Sequence, residues 1–287
     1  MATEASPGAA SSGAASSGAA SSRAGRPVVL VGCGRLGSAI VEGWLKTGTV
    51  DPAELIILTP SEKPVAEQAR AKGARVNPPL EALADARAVV LSVKPARWKD
   101  AVEPLIAALP ADATVVSVMA GVRTATIGAV LSPRAVVRVM PTTAVASGQG
   151  VAAVWSADEG ARTVAHALFA PLAEVVDLGE ERHMDIATAV AGSGPAYVHA
   201  FTRALAAAGE EAGLDADSAL KLARGAVRSA ASADPSESLE ALIARVASPG
   251  GTTEAGLRAL NQNAELDEAV EAAVFAALLR ARELAQT

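Results

Sequence analysis

Residues Val28-Val29-Leu30-Val31-Gly32-Cys33-Gly34-Arg35-Leu36-Gly37-Ser38-Ala39-Ile40 run from a short apolar stretch through a G-x-G-x-x-G turn into a segment of helical period. No other feature of the chain restricts its fold as tightly. An apolar run without a polar face predicts a strand buried on both sides, as in a parallel sheet, and a helix opening directly after it marks a βα unit. Each glycine then has its own reason. Gly32 permits the tight turn, Gly34 removes a side chain that would collide with a pyrophosphate, and Gly37 lets helix and strand approach. Free N–H groups where Arg35 and Leu36 open the helix, together with its dipole, receive the anion. The block therefore reads as a dinucleotide cradle, the alternative being a tight βα turn without a ligand. Cys33 reads as a small filler, because no histidine lies near it in sequence.

The same alternation continues. Apolar runs at 55–58, 88–93, 114–118 and 135–140 predict strands, and segments at 36–47, 62–72, 96–108 and 123–131 have helical period. Two more strands at 150–154 and 173–178, around a helix at 157–170, extend the sheet. Residues 27–179 are thus expected to form a Rossmann-type α/β domain with a doubly wound, mainly parallel sheet. After Glu180 the strand signal stops, and periodic stretches at 185–213, 216–232, 238–247 and 254–285 predict an all-α domain over 180–287. Its Ala-rich faces are too extensive to bury alone, which points to a subunit partner; a monomeric bundle is the alternative.

Composition removes several function classes. With 25 basic against 31 acidic residues, a formal charge of −6 and no long run of like charge, a nucleic-acid partner is not expected. One cysteine and three scattered histidines supply neither a disulfide framework nor metal-ligand spacing. Residues 1–26 form an Ala/Ser/Gly tract, read as a disordered tail; a transit peptide is the alternative, although the tract lacks an Arg-rich amphipathic face. Neither a secretory apolar segment nor a stretch of about 18 apolar residues occurs, so no membrane span and a cytoplasmic location are expected.

At the end of the second strand the chain reads Leu58-Thr59-Pro60-Ser61-Glu62-Lys63. A site for a free adenosine 2′-hydroxyl would place Asp or Glu there. Hydroxyls on Thr59 and Ser61, with the charges of Lys63 and Arg35, suit a 2′-phosphate better, which favours NADPH and leaves NADH possible. Against this, Lys63 is equally a solvated helix-start residue, and Glu62 is one position away.

Two further segments stand out. Ser248-Pro249-Gly250-Gly251-Thr252-Thr253-Glu254 cannot continue a helix and reads as a turn into a helix N-terminus. Its N–H groups and hydroxyls fit a carboxylate. Alternatively Thr252 or Thr253 is an ordinary cap. Ala191-Gly192-Ser193-Gly194-Pro195-Ala196-Tyr197 interrupts the helical pattern; lacking a preceding strand and a glycine at 191, it is not a hydrolase nucleophile elbow and reads as a kinked helix start.

Taken in order, Gly32–Gly37, Val93-Lys94-Pro95, Ala120-Gly121-Val122, Arg138-Val-Met-Pro141, Gly192–Tyr197 and Ser248–Thr253 resemble the pyrroline-5-carboxylate reductases from about residue 27 onward. The resemblance implies reduction of a cyclic imine carboxylate, 1-pyrroline-5-carboxylate, to L-proline by a nicotinamide coenzyme. It also implies a C-terminal helical domain that interlocks with a second subunit, as a homodimer or a ring of dimers. By the same resemblance Val93, Lys94, Pro95 and Ala120 line the nicotinamide half. Ser193, Ser248, Gly251, Thr252 and Thr253 become candidate substrate residues, with Thr253 beside the imine nitrogen as the candidate catalytic group. Two positions depart from the family pattern. Met140-Pro141-Thr142-Thr143-Ala144 stands where Met-Pro-Asn-Thr-Pro is usual, and Leu242-Ile243-Ala244-Arg245 replaces Leu-Lys-Asp. The competing expectations are a reductase of another cyclic imine and a non-catalytic NADP(H) sensor.

Overall fold

The computed structural model describes residues 25–284. In chain order the first part comprises β1 (Val28–Val31), α1 (Arg35–Thr47), β2 (Leu55–Leu58), α2 (Pro64–Ala71), β3 (Arg75–Val76), β4 (Ala88–Leu91) and α3 (Trp98–Val102). It continues with β5 (Thr114–Ser117), α4 (Thr124–Leu131), β6 (Val136–Pro141), β7 (Gly150–Trp155), α5 (Glu159–Phe169) and β8 (Ala173–Asp177). The strands form one sheet in the order β3-β2-β1-β4-β5-β6-β7-β8, so the order reverses between β1 and β4, where doubly wound sheets open a ligand crevice.

All four residues of β1 are buried, and alternation sends them to opposite layers. Val28 and Leu30 join Ile40 and Trp44 of α1 and Phe169 of α5 in one core. Val29 and Val31 join Trp98 of α3 and Ile127 of α4 in the other. The first core is tied by a buried hydrogen bond in which Trp44 Nε1 donates to the Leu168 carbonyl at 2.8 Å. Helix α1 stops at Gly48, whose φ of +71° gives the left-handed cap and lets its N–H reach the Trp44 carbonyl.

One local expectation is corrected, and two features of the sheet go beyond what was expected. The helix expected over 96–108 is only Trp98–Val102 between short 3-10 turns, because Pro104 lacks an N–H and crowds the preceding turn. β3 has two residues, too few to show periodicity. β7 runs antiparallel to β6 while β8 is parallel to β7. Only a short turn, Thr143–Ser147 with Gly148 at φ +75°, joins β6 to β7, and a link that short cannot make the crossover a parallel neighbour needs. Arg26, assigned by composition to the tail, is anchored by Asp112 at 2.7 Å and by the carbonyls of Asp85 and Ala86; the rest of the expected tail, up to residue 24, lies outside the described residues.

From residue 183 onward the chain is helical: α6 (His183–Ala187), a π-turn (Thr188–Gly192), α7 (Gly194–Glu211), α8 (Ala216–Ala231), α9 (Leu239–Val246), α10 (Thr252–Leu260) and α11 (Glu265–Leu284). α7 and α8 pack as a hairpin through Ala206, Ala219 and Ala223. Asp215 and Ser238 cap α8 and α9. α9 and α10 bury no residue at all. Leu239, Val246, Phe275 and Leu279 are 72%, 69%, 54% and 58% exposed, an apolar surface larger than a lone chain of this size usually shows.

Gly43 marks where the first layer is tightest: a Cβ there would stand 2.4 Å from the Val145 carbonyl oxygen and 2.4 Å from Leu172 Cδ2. Gly43→Ala is expected to lower the unfolding free energy by about 1–3 kcal/mol, the usual cost of overpacking. Urea titration checks this as a lower midpoint at unchanged slope; an unchanged midpoint would show that the 143–147 turn yields freely.

Candidate active site

At the carboxyl ends of β1, β2 and β4 lies a cleft of about 690 Å³, walled by Gly32–Gly34, Thr59–Ser61 and Ser92–Lys94. Its floor is set by close contacts. Gly32 has φ +93°, and a Cβ on it would lie 2.4 Å from the Ser92 carbonyl oxygen. A Cβ on Gly37 would meet the Gly32 carbonyl oxygen at 2.3 Å. A Cβ on Gly34, in contrast, would meet nothing within 4 Å and would stand in the open cradle. Gly34 is the N-cap of α1, with no side-chain cap bond and no acidic residue in the first turn. The first-turn N–H groups therefore have no intrahelical partner and face no competing anion, which fits a dinucleotide pyrophosphate.

The structure separates the coenzyme candidates by role. Gly32, Gly34, Thr59, Ser61, Lys63, Val93 and Lys94 line the cleft; Arg35, Leu36, Gly37, Pro95 and Ala120 do not. Thr59 is buried, and its hydroxyl donates to the Ser61 carbonyl at 3.0 Å, so it shapes the loop. The Ser61 side chain is exposed. Lys63 is the N-cap of α2 and borders both the cleft and a hollow of about 150 Å³ that also holds Glu62, Glu67 and Arg70. Pro95 opens a 3-10 turn, and Ala120 packs with Met140, Ala153 and Met184. Burial pushes the Cys33 thiol pKa up, in keeping with a filler rather than a nucleophile.

Two residues at this end escape a reading of the sequence. Asn77, at φ +49°, holds the Thr59 backbone through both its amide oxygen, which accepts the Thr59 N–H at 2.8 Å, and its amide nitrogen, which donates to the Thr59 carbonyl at 2.9 Å. Arg97 lines the cleft and pairs with Asp100 at 3.6 Å. Neither sits in a local motif; the asparagine reaches Thr59 only because β3 pairs with β2. The Thr142 hydroxyl accepts the Val151 N–H at 3.3 Å and so serves the β6–β7 turn.

The second candidate loop is built differently from an ordinary cap. Gly250 takes φ +71°, the Gly251 N–H donates to the Ser248 carbonyl at 2.9 Å, and Gly251 is the N-cap of α10. No side chain caps this helix, so Thr252 and Thr253, as its first two residues, do not act as the cap that the sequence allowed. Glu254 instead turns back, its Oε2 accepting the Gly250 N–H at 2.6 Å. Ser193 closes the π-turn, its N–H donating to the Thr188 carbonyl at 3.0 Å. None of Ser193, Ser248, Gly251, Thr252 and Thr253 lines the coenzyme cleft.

A family model described as pyrroline-5-carboxylate reductase dimerisation matches residues 181–284, and one described as NADP oxidoreductase, coenzyme F420-dependent, matches residues 27–121. The chain is 36% identical over 275 residues to a pyrroline-5-carboxylate reductase of Pseudomonas aeruginosa, covering 90% of this chain and 97% of that one. It is 33% identical over 255 residues to pyrroline-5-carboxylate reductase 2 of Bacillus subtilis, covering 85% and 90% respectively. Among solved structures, a pyrroline-5-carboxylate reductase from Coxiella burnetii superposes with a TM-score of 0.83 at 28% identity, covering 91% of this chain and 99% of that one.

Because a side chain at position 34 meets only open cleft, Gly34→Val is expected to fold with an unchanged melting temperature and to lose dinucleotide binding. Gly37→Ala, pressed against the Gly32 carbonyl, is expected to lower both stability and affinity. Thermal melts beside fluorescence titration with the dinucleotide check the pair; equal binding by Gly34→Val and the parent would remove the cradle from this loop.

Proposed function

The chain belongs to the pyrroline-5-carboxylate reductase family, and from that premise we propose that it reduces 1-pyrroline-5-carboxylate to L-proline with NADPH as the coenzyme. The observation that carries this reading is the uncapped start of α10, where two hydroxyls and the first-turn N–H groups remain uncommitted beside a glycine turn. Such a turn suits the carboxylate of a small cyclic imine. When bound, the reduced nicotinamide supplies the hydride. Gly32, Gly34 and the first turn of α1 would hold its pyrophosphate, and Lys63 with Ser61 would bind the adenosine 2′-phosphate.

The reaction turns the C=N bond of the iminium into a C–N single bond: hydride adds at carbon, and the π electrons become a lone pair on nitrogen. A hydroxyl at Thr253 donates a hydrogen bond to that developing pair, an interaction stronger in the transition state than in the ground state. Ser248, Gly251 and Thr252 hold the carboxylate, and Ser193 contributes from the π-turn. The rest of the task is orientation and exclusion of water.

A homodimer is the functional unit in this reading, because the loop stands outside its own chain's cleft and the helices of residues 180–287 leave their apolar faces uncovered. Residues 27–179 are its coenzyme domain, the assembly is a homodimer or a ring of such dimers, and the enzyme works in the cytoplasm.

The deciding assay is loss of NADPH absorbance with pyrroline-5-carboxylate beside a six-membered imine carboxylate. Preference for the five-membered ring supports the assignment; turnover of the larger ring alone transfers it to another imine. Thr253→Ala is expected to lower kcat about twofold to tenfold, as one hydrogen bond between neutral groups of roughly 0.5–1.5 kcal/mol would, with little change in NADPH affinity. Lys63→Ala is expected to weaken NADPH binding about fivefold to tenfold, given its half-buried setting, while leaving NADH binding unchanged; equal effects on both coenzymes would place 2′-phosphate recognition elsewhere.

A further inference from the structure

One charged side chain has no part in the imine chemistry and is nevertheless among the most deeply buried groups of the protein. Arg138 lies in the middle of β6, between Ser117 of β5 and Trp155 of β7, with a side chain 1% exposed. Its guanidinium reaches out of the sheet to the start of the helical part. Nη1 lies 3.3 Å from Glu181 Oε1, and Nη2 lies 3.8 Å from Oδ1 of Asp185, which is itself buried in α6. Each carboxylate has a second partner. Glu181 accepts the Thr124 N–H at 2.7 Å and its hydroxyl at 3.2 Å, at the first residue of α4. Asp185 Oδ2 faces the half-exposed Arg123 at 3.6 Å. Two cations and two anions thus join β6, α4 and α6 in a cluster without net charge.

Such a cluster is a poor way to gain stability. Removing these charges from water is costly, and an apolar side chain at the same place in β6 would pack at no such cost. Burial lowers the Arg138 pKa, and the two carboxylates oppose that shift. What ion pairs add, and what apolar contact lacks, is direction. The neighbouring contact between α6 and the sheet consists of Met184 against Met140 and Ala153, flexible or small side chains that tolerate sliding. Arg138 Nε, Arg138 Nη2 and Asp185 Oδ1 make no hydrogen bond. Nη2 and Oδ1, 3.8 Å apart, attract without a hydrogen bond, while the directed bonds that Glu181 accepts from Arg138 Nη1 and the Thr124 N–H set where the chain enters α6.

That placement matters because α6 leads straight into a candidate substrate residue. Three residues after Asp185 the helix widens into the π-turn Thr188–Gly192, which ends at Ser193 and the start of α7. Ala120 packs in the same small core as Met184 and Ala187. We propose that Arg138 is a positioning residue of the imine half of the site: clamped by Glu181 and Asp185, it fixes α6, and through it the π-turn and Ser193, against the nicotinamide edge of the sheet. The proposal rests on the proposed substrate for the role of Ser193, and not for the clamp itself.

The test uses the full-length protein and three variants. Asp185→Asn removes the buried charge at constant shape, Arg123→Gln weakens the cluster from its exposed side should Asp185→Asn fail to fold, and Arg138→Lys keeps charge without the fork. In the first two, the imine KM is expected to rise about tenfold, within the penalty of up to about a hundredfold for a misplacement near 1 Å. NADPH affinity should stay within about twofold, since β1, α1 and the cleft are untouched. Arg138→Lys is expected to fall between these variants and the parent. Hydrogen exchange read in parallel should quicken over residues 186–197 and stay unchanged in β1 and α1. Unchanged exchange in that segment overturns the clamp whatever the substrate proves to be. Faster exchange there, with the parent inactive on pyrroline-5-carboxylate, upholds the clamp and sinks the substrate reading instead. Variants that only melt earlier, or that lose NADPH affinity as much as they gain imine KM, also overturn the positioning role.

Discussion

The carbonyl of Gly32 occupies the space that a Cβ on Gly37 would need, 2.3 Å away, and the whole coenzyme cleft depends on that approach. With helix α1 brought this near to the end of β1, the loop between them must turn within three residues, and Gly32 takes φ +93° to do so. The loop is then fastened to both walls. Gly32 N–H donates to the Leu58 carbonyl at the end of β2, and the Ser92 N–H beyond β4 donates to the Val31 carbonyl. One steric constraint thereby sets the mouth of the cleft, the direction of the α1 dipole and the spacing of the flanking loops.

The helical part obeys a different economy of contacts. The α7–α8 hairpin closes on small alanine side chains, whereas α9 and α10 bury nothing. Ser238 caps α9 and Gly251 starts α10 without a side-chain cap, so local interactions alone shape these two helices. Gly32, Gly34, Thr59, Ser61, Lys63, Val93 and Lys94 line one cleft of a single chain, and Ser248–Thr253 stand apart from it.

Between the two parts the joint is mixed. Apolar packing around Met184 supplies cohesion without direction, and the ion cluster of Arg138, Glu181, Asp185 and Arg123 supplies direction at an energetic cost. Thr142 belongs to the same neighbourhood. Its hydroxyl accepts the Val151 N–H across the β6–β7 turn.

What the sequence by itself determined is what local physics decides. Apolar runs such as Val28–Val31 and Leu55–Leu58 could bury only as central strands, the three glycines of Gly32–Gly37 answered to turn and packing demands within six residues, and the periodic stretches at 216–232 and 238–247 became helices within one residue of those limits, whereas the stretch at 254–285 divides into α10 and α11. The break at Pro104 is equally local, since proline acts within one helical turn, but the apolar period of 96–108 runs through it and masks it. Only the tertiary structure decided the rest. Asn77 reaches Thr59 across 18 residues, Arg138 reaches Glu181 across 43, and β7 reverses because of the turn before it. Whether Thr252 and Thr253 cap a helix or leave their hydroxyls uncommitted depended on Gly251 taking the cap position. Such partners carry no mark in their own neighbourhoods, because the free energy that selects them comes from closing the sheet and docking α6 upon it, long-range steps to which no short stretch of sequence contributes alone.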